Sequence, residues 1–340
     1  MHQKPIVSIV IPFYDCASYV ERCLKSLSGV KGIEIIAVDD GSKDETLSVL
    51  QACERKIETL KVYHKENGGV SSARNFGIQH CTGQYLTFVD GDDAVNTDVL
   101  QAVVDYISTA EKNLYVFPIL RGDETDKFFK ESYFEKFKEA NDSKAELYKL
   151  VIQGRSNELV TKIFRTDIIQ NNALKLDTRM FMGEDVMFFI DYLIALDELK
   201  LEYLDMAYYY YYRNNSSVTS NIRKGFPSQE QRRYRHVKEL IRAKGLSEEF
   251  AIANDSFYLH KLIYFVSEMN RNGVSKKGIQ REIKENGIDK DIIQGKIISV
   301  GDRFRQKLFL SLNVCAMRFF VSCITIYHTL TEKRSKLGEN

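Results

Sequence analysis

The first hundred residues repeat one pattern, in which a short apolar stretch rich in β-branched residues is followed by a helical stretch. Buried strands are predicted at 7–12, 33–38, 60–63 and 84–89, with helices between them at about 17–27, 44–56 and 71–80. Strands that alternate with helices form right-handed βαβ units around a parallel sheet. The sequence therefore predicts an α/β fold, with a mostly parallel central sheet and flanking helices. Residues 203–212 are predicted as the last strand of this sheet.

Acidic residues stand directly after two of the predicted strands. Asp39 and Asp40 follow the second strand, and Asp90, Asp92 and Asp93 follow the fourth. Ligands of open α/β sheets bind at the carboxyl ends of parallel strands. Two carboxylates spaced like Asp90 and Asp92 suit Mg²⁺ or Mn²⁺ holding a diphosphate. A DxD segment alone is more often a solvated turn, but the strand context and the second acidic pair favour a metal site.

A glycine-rich turn at 67–70 precedes the third helix, which carries Arg74 and Asn75. Backbone N–H groups at such a helix start, together with a guanidinium, can bind phosphate. The competing interpretation is an ordinary helix start with a solvated arginine. The chain contains neither G-x-G-x-x-G nor G-x-x-x-x-G-K-[ST], so dinucleotide-dependent redox chemistry and P-loop hydrolysis are poorly supported.

The net charge of +1 hides an uneven distribution along the 340 residues. Residues 221–340 carry a net charge of +10 and the first 220 residues carry −9. This split suggests an acidic catalytic part that holds metal and a basic part that meets an anionic surface, and it does not indicate a nucleic-acid partner. We expect a nucleotide-sugar-binding domain at 1–225 and a basic helical region at 226–340.

The six cysteines and the amino terminus indicate a cytoplasmic protein. The cysteines form no CxxC pair and have no histidine at metal-ligand spacing, which is typical of small apolar residues in a reducing compartment. The amino-terminal residues run directly into the first strand and lack the features of a signal peptide.

Five segments, in this order, resemble the signatures of the GT-A-fold, inverting glycosyltransferases of family 2, which build bacterial capsules, exopolysaccharides and lipopolysaccharide. The segments are VSIVIPFYD, VDDGSKDET, NGGVSSARNFGI, GQYLTFVDGDD and MGEDVMFF. The resemblance covers about the first 220 residues, and the ordered set is far more specific than any one segment. It implies a Rossmann-like GT-A fold and the transfer of a sugar from a nucleotide sugar, with a uracil-type base, to an acceptor.

The resemblance also implies which residues bind the donor. Pro12 and Tyr14 are expected to line the base pocket, and Asp40 is expected to accept a hydrogen bond from the base. Arg74 is expected to lie along the nucleotide, and Gly91, inside the DGDD segment, is counted with the donor-binding residues. Where the family usually has Asn after the tyrosine, this chain has Asp15, and we expect either residue to cap the following helix.

The metal site and the general base follow from the same resemblance. Asp92 is implied as the principal ligand of Mg²⁺ or Mn²⁺, and Asp90 as its support, directly or through water. Asp185 is implied as the general base, because inverting transfer needs one carboxylate to accept the proton of the attacking hydroxyl. The alternative for Glu184 and Asp185 is a helix start stabilised by acidic residues, and both can hold. Arg213, after a run of tyrosines, is expected to contact the diphosphate.

The basic carboxyl-terminal segment at 307–336 has a narrow polar stripe at helical spacing and predicts an amphipathic helix. Arg318 near its middle argues against a simple transmembrane span. The helix either packs against the rest of the protein or lies on a membrane surface, and its basic flanks favour the membrane. We therefore expect peripheral association with the inner face of the cell membrane. An acceptor carried on a polyprenyl diphosphate, as is usual in the resembled family, would suit that position.

Three competing functions are less well supported by the sequence. Processive synthases of the same fold carry Gln-x-x-Arg-Trp, and this chain has no Trp, so addition of a single sugar is favoured. A non-catalytic, nucleotide-sugar-binding partner subunit of another glycosyltransferase would typically lack the DxD or the base, and both are present. A nucleotidyltransferase would need a basic glycine-rich loop after the first strand, where Pro12–Asp15 stand instead. The sequence predicts neither the sugar nor the oligomeric state.

Overall fold

The computed structural model describes residues 4–122, 127–131, 137, 143–152, 158–212, 225–295, 300–311, 313 and 316–317. Its contacts divide the chain into two compact units, Met1–Ser216 and Ser217–Asn340. Residues 213–224 lie outside the described part, so the domain boundary expected after residue 225 stays a prediction. Each unit is described by itself.

The first unit alternates strands and helices. Its strands are β1 Val7–Phe13, β2 Ile33–Asp39, β3 Leu60–His64, β4 Tyr85–Phe88, β5 Ala94–Val95, β6 Leu114–Val116, β7 Ile119–Gly122, β8 Phe129–Lys130, β9 Lys162–Arg165, β10 Leu201–Tyr203 and β11 Tyr209–Tyr212. Its helices are α1 Ala17–Leu27, α2 Thr46–Glu54, α3 Val70–His80, α4 Thr97–Ile107, α5 Lys144–Ile152, α6 Thr166–Asn171 and α7 Glu184–Ala195, and a 3₁₀ turn, Leu159–Thr161, precedes β9.

The described strands form a central seven-stranded sheet in the order β10-β6-β9-β4-β1-β2-β3. Strands β4, β1, β2 and β3 are parallel, and β9 runs antiparallel between β4 and β6. All of β2, and all of β1 except the half-buried Pro12, is buried, as expected for parallel strands covered on both faces. The predicted α/β fold with a mostly parallel sheet is confirmed.

The prediction of a single strand at 203–212 is wrong. Strand β10 ends at Tyr203 and pairs with β6 in the central sheet, whereas β11 begins at Tyr209. Strand β11 belongs to a second sheet in the order β5-β11-β7-β8. Two of its tyrosine hydroxyls bind polar side chains on either side of β5, Tyr209 to Asp93 and Tyr210 to Asn96.

The loops at the carboxyl ends of β1 and β2 bind each other. Asp15 does not cap α1, because the first turn of that helix follows Cys16 without a side-chain cap from it. Instead the Asp15 carboxylate accepts a hydrogen bond from Lys43 N at 2.7 Å, and Ala17 N donates to Asp44 Oδ2 at 3.1 Å. The helix start is therefore satisfied by the loop after β2, which joins the two loops above the sheet.

The second unit is helical in its described part, as the sequence predicted. It contains α8 Phe226–Ala243, α9 Glu248–Arg271, α10 Lys276–Glu285, α11 Ile288–Gln294 and α12 Val300–Leu310. Tyr258, Leu262 and Phe309 are fully buried in its core. Of the amphipathic helix predicted at 307–336, only the first residues coincide with α12, and most of the remainder lies outside the described residues. No helix within the described part has the length and hydropathy to cross a membrane.

Candidate active site

Acidic loops meet at the carboxyl ends of β1, β2 and β4. The parallel register places Phe13 of β1 beside Asp39 of β2 and Val10 beside Phe88 of β4. Asp40 N donates to Phe13 O at 2.9 Å, which continues the pairing by one residue past β2. The DGDD turn, residues 90–93, follows β4 at the same edge. The sheet thus brings the two acidic pairs together, as the sequence predicted.

Asp40 is buried and fastens the glycine-rich turn to the end of β2. Its carboxylate accepts hydrogen bonds from Gly68 N at 3.1 Å and from Gly69 N at 2.7 Å, and Lys65 Nζ lies 2.6 Å from Oδ1. A cation and two amide donors offset the cost of burying this charge. The neighbouring Asp39 is also buried, and its Oδ2 lies 2.7 Å from His64 Nδ1.

The backbone of the DGDD turn is held from several sides. Asp93 N donates to Asp90 O at 3.0 Å, which closes the turn, and the Arg22 guanidinium donates to Asp92 O. Gly91 is required by the close approach of β1, since an added Cβ would lie 2.6 Å from the Phe13 ring and 2.9 Å from Pro12 O. Any larger residue at this position would displace the turn from the strand.

The three carboxylates of the turn differ in their surroundings. Asp93 is only 1% exposed, and both its oxygens accept hydrogen bonds from β11, from Tyr209 Oη at 2.6 Å and from Tyr212 N at 2.9 Å. Burial raises the pKa of Asp93 well above its usual value, and the charges of Asp90 and Asp92 raise it further. Asp90 and Asp92 are partly exposed. Asp93 is thus turned into the protein, whereas the other two keep part of their surface in contact with solvent.

Arg74 joins the DGDD turn to a carboxylate from a distant part of the chain. Its guanidinium donates to Asp90 Oδ1 at 2.8 Å and to Asp185 Oδ1 at 2.9 Å. Burial lowers the pKa of Arg74, but the charges of Asp185 and Asp90 outweigh that effect and raise it above the usual value. The arginine is 5% exposed, whereas the Asp90 and Asp185 side chains are 33% and 26% exposed, so only the cation of this double ion pair is largely removed from water. The predicted base and one predicted metal ligand therefore share one cation.

Asp185 stands in the first turn of α7. Gly183 precedes the helix with a left-handed φ of 87°, a conformation that a residue with a side chain rarely adopts. Burial raises the pKa of Asp185 to about 7; the charges of Glu184 and Asp90 add to this effect, while Arg74 and Lys162 oppose it. A carboxyl with a pKa near neutrality can accept and release a proton at the pH of a cell.

Lys162 is a second buried cation near this carboxylate, and it stands at the start of β9. Burial lowers its pKa to about 8, and the charges of Glu158 and Asp185 partly oppose that effect. Its ammonium donates to Glu158 O at 2.8 Å and lies 4.9 Å from the centre of the Phe189 ring. Lys162 is not predictable from the sequence as a site residue, since a single lysine at the start of a strand carries no local motif.

The carboxylates of the DGDD turn supply part of the ligand set that a divalent cation needs. Across the described residues, no three His, Cys, Asp or Glu side chains gather into a complete metal site. Asp92 and Asp90 supply hard oxygen ligands at a partly exposed place, although one oxygen of Asp90 already accepts from Arg74. Two carboxylates completed by diphosphate oxygens and water are an arrangement that Mg²⁺ adopts in proteins.

The structure describes only some of the remaining residues that were predicted to bind the nucleotide sugar. Pro12 is half-buried at the end of β1 and Tyr14 is 45% exposed in the loop that follows, so both lie at the acidic edge. Arg213 lies outside the described residues. The structure adds three residues to the site, Arg22, Lys65 and Tyr209. They could not be predicted from the sequence, because each contacts the acidic loops only through the tertiary structure.

A cavity of about 330 Å³ lies elsewhere in this unit, lined by residues 81–84, 165–167, Lys4 and Gln170. These residues precede β4 and follow β9, which places the cavity at the amino-terminal edge of the parallel strands. None of the carboxylates described above lines it. The gathered carboxylates, rather than this cavity, mark the candidate active site.

Comparison with known proteins identifies the domain. Residues 8–170 match the family model described as Glycosyl transferase family 2, so the chain carries a domain of that family. The match includes the first four of the five segments that carried the resemblance, apart from Val7, and MGEDVMFF lies beyond it. The uncharacterised glycosyltransferase EpsJ of Bacillus subtilis is 39% identical over 111 residues, which are 32% of this chain and 31% of that protein.

Two further relatives are similar over about a third of the chain. Glycosyltransferase GlyG of Streptococcus pneumoniae is 31% identical over 124 residues, 36% of this chain and 41% of that protein. Chondroitin synthase of Pasteurella multocida is 35% identical over 103 residues, 30% of this chain and 11% of that protein. The matched part thus spans less than half the length of each of these relatives.

The fold agrees with solved structures. The crystal structure of S. aureus TarS 1–349 in complex with UDP has a TM-score of 0.61 at 22% identity, and the match covers 85% of this chain and 80% of that one. The complex with UDP-GlcNAc has a TM-score of 0.56 at 18% identity, covering 84% and 89%. These likenesses confirm the GT-A fold expected from the sequence.

Proposed function

We propose that this chain, which carries a glycosyl transferase family 2 domain, transfers a single sugar from a UDP-sugar to a saccharide acceptor with inversion at the anomeric carbon. One observation carries the proposal: Arg74 binds Asp90 of the DGDD turn and Asp185 of α7 at once. The group that binds the leaving diphosphate and the group that accepts a proton must lie on opposite sides of one reacting carbon. A shared guanidinium holds two such carboxylates a few ångströms apart.

The donor would bind at the acidic edge. Asp92, supported by Asp90, would hold Mg²⁺ or Mn²⁺, which would stabilise the charge of the departing diphosphate. The exposed Tyr14 ring and Pro12 would line the base, and Asp40 would support this pocket from the end of β2 by holding the glycine-rich turn. The UDP and UDP-GlcNAc named in the TarS structures support a uridine nucleotide. Arg213 remains a proposed contact to the diphosphate.

The chemical step is an in-line displacement. The acceptor oxygen attacks the anomeric carbon and forms the new C–O bond, while the bond from that carbon to the diphosphate oxygen breaks. The hydroxyl proton passes to a carboxylate oxygen of Asp185, and the nucleoside diphosphate leaves with the electron pair. Arg74 orients Asp185 and, by its charge, keeps the carboxyl sufficiently acidic to be ionised near neutral pH.

The proposed acceptor rests on the relatives of this chain and on the charge of its carboxyl-terminal part. Among the relatives are a chondroitin synthase and a hyaluronan synthase, which supports a role in polysaccharide synthesis. The net charge of +10 over residues 221–340 would attract an anionic surface. We therefore propose an acceptor linked to a polyprenyl diphosphate, and peripheral binding to the inner face of the cell membrane.

A donor screen tests the proposal. The full chain is incubated with Mn²⁺ and each of a panel of UDP-sugars, and free UDP is measured with and without saccharide acceptors. Release of UDP that depends on Mn²⁺ and is lost in Asp92→Ala supports the transferase. Binding of UDP-sugars without turnover on any acceptor would instead identify the non-catalytic partner subunit. Sedimentation with vesicles of anionic lipid, compared with vesicles of neutral lipid, tests the membrane proposal.

A further inference from the structure

A group of hydrogen bonds behind the DGDD turn connects it to the last strand of the small sheet. Asp90 N donates to Tyr209 Oη at 3.1 Å, and the same hydroxyl donates to Asp93 Oδ2 at 2.6 Å. The other oxygen of Asp93 accepts from Tyr212 N at 2.9 Å. We call these four residues the Tyr209 clamp. Asp90 and Asp93 are the first and last residues of the DGDD turn. Tyr209, which binds both, lies on β11, 116 residues after Asp93.

The strand pairing sets the clamp in register. Strand β5 starts directly after the DGDD turn and pairs antiparallel with β11, with Tyr209 opposite Val95 and Tyr210 opposite Ala94. Asn96 N also donates to Tyr208 O at 2.7 Å. The residues that follow the DGDD turn are therefore paired with β11. This pairing places the Tyr209 hydroxyl within hydrogen-bond distance of the turn.

The clamp uses the hydrogen-bonding capacity of its buried groups. Tyr209 is fully buried, and its hydroxyl both accepts and donates. Both oxygens of Asp93 accept from protein donors, and the residue is 1% exposed. A carboxylate engaged in this way has no oxygen directed at the open side of the turn. Of the three acidic residues in the DGDD turn, Asp93 is therefore the one whose carboxylate is not available to the sugar donor.

We propose that Asp93 and Tyr209 are positioning residues that fix the direction in which Asp90 and Asp92 present their carboxylates to the metal and the donor diphosphate. This inference rests on the proposed function. The side-chain direction of Asp90 follows its backbone, and the Tyr209 hydroxyl holds that backbone at the N–H group. Asp93 closes the far end of the turn, so both ends are fixed relative to β11. Residues that hold a binding group in place affect ligand binding without touching the ligand.

The clamp also couples the turn to the strand that leads to Arg213. Strand β11 ends at Tyr212, whose amide is held by Asp93, and Arg213 is the next residue in the sequence. Loss of the clamp would thus disturb the metal ligands and release the end of β11. We expect its removal to weaken binding of metal and donor more than it slows the chemical step.

A matched pair of variants tests the clamp. Tyr209→Phe removes the hydroxyl that bridges Asp90 and Asp93, whereas Tyr208→Phe removes the hydroxyl of the preceding buried tyrosine, which donates to Val160 O at 3.2 Å, away from the turn. For Tyr209→Phe, the Mn²⁺ activation constant and the donor KM are expected to rise on the order of tenfold or more. For Tyr208→Phe both should stay close to wild type. Equal values in the two variants would overturn the inference.

Two substitutions at Asp93 separate positioning from metal binding. Asp93→Asn keeps a carbonyl oxygen that can accept one hydrogen bond, and Asp93→Leu keeps none. A positioning role predicts that the Asn variant binds Mn²⁺ with an affinity between those of the wild type and the Leu variant. A direct metal ligand would be lost in both, because a neutral amide is a much weaker ligand than a carboxylate. Equal loss of affinity in the two variants would therefore contradict the inference.

Measurements without turnover keep the test independent of transferase activity. Mn²⁺ binding in the presence of UDP is measured by electron paramagnetic resonance, and amide hydrogen exchange is followed in peptides that contain residues 90–95 and 208–212. Tyr209→Phe should weaken Mn²⁺ binding and accelerate exchange in both peptides, whereas Tyr208→Phe should leave Mn²⁺ binding and the 90–95 peptide unchanged. A wild type that binds Mn²⁺ and UDP but transfers no sugar would contradict the proposed function and leave the clamp supported. A wild type that binds neither would overturn both.

Discussion

Arg74 donates a 2.9 Å hydrogen bond to Asp185, a residue that stands 111 positions later in the chain. The same guanidinium holds Asp90 at 2.8 Å, so the arginine is the physical link between the DGDD turn and the start of α7. The arginine is buried, whereas the Asp90 and Asp185 side chains are 33% and 26% exposed, so water screens these two ion pairs only in part.

Replacing Asp185 should stop transfer but not donor binding. Asp185→Asn keeps the shape of the side chain and an oxygen that can accept from Arg74, but it removes the proton acceptor. General bases contribute about 10²- to 10⁴-fold to rate, so kcat should fall by about that factor, while the dissociation constant for UDP with Mn²⁺ should change little. Steady-state kinetics and calorimetry provide the two values. Asp191→Asn, on the same helix, is the control, and near-normal turnover of Asp185→Asn would refute the assignment.

The pH dependence of the rate should follow Asp185. Its pKa is raised to about 7, so the carboxyl is protonated and unable to act as a base below that pH, and it is ionised above it. The value of kcat/KM should therefore rise with pH through about 7 and then level off, since kcat/KM reports the free enzyme. A pH profile measured with saturating Mn²⁺ checks this expectation. A profile that is flat between pH 5.5 and 8.5 would exclude Asp185 as the titrating base.

Removing the charge of Arg74 should shift that profile to higher pH. The guanidinium favours the ionised form of Asp185 and so lowers its pKa, and Arg74→Gln takes this effect away. The rate should then rise at a higher pH than in the wild type, with a lower maximum, because Asp185 also loses its orienting partner. Arg165→Gln is the control, since Arg165 pairs with Asp167 instead. A shift toward lower pH would contradict the ion pair.

Adding a methyl group at Gly91 should damage the site by steric contact alone. The new Cβ would lie 2.6 Å from the Phe13 ring and 2.9 Å from Pro12 O, so β1 and the turn would have to separate. Overpacking of this kind costs about 1–3 kcal/mol, and Gly91→Ala should lower the thermal midpoint and weaken Mn²⁺ binding. Gly295→Ala is the control, because its nearest contact is an ordinary 3.4 Å. Equal effects of the two substitutions would argue against the close approach.

Chelation should abolish transfer reversibly if Asp92 holds a divalent cation. Treatment with EDTA is expected to remove activity, and added Mn²⁺ should restore it in the wild type. Asp92→Asn should need a much higher Mn²⁺ concentration for the same rate, since an amide replaces a charged ligand. Activity is measured across a Mn²⁺ titration. Unchanged turnover in EDTA would show that the cation is not required.

The local features of the fold could be predicted from the sequence. The alternating strands and helices, with α1 at 17–27 and β1 starting at Val7, follow from the spacing of apolar residues, which is a property of neighbouring positions. The location of acids after β2 and β4 follows from the same strands. The prediction failed where the chain changes sheets, at 203–212, because the apolar pattern does not say which sheet a strand joins.

The sequence by itself determined that acidic residues end two parallel strands, because strand ends and turn residues are encoded by adjacent positions. Only the tertiary structure decided what each acid does. Asp40 fastens Gly68 and Gly69, Asp93 binds β11, and Asp185 shares Arg74 with Asp90. These partners come from segments up to 119 residues apart. Burial and pairing at such distances depend on sheet register and on how the elements pack, which no local pattern records.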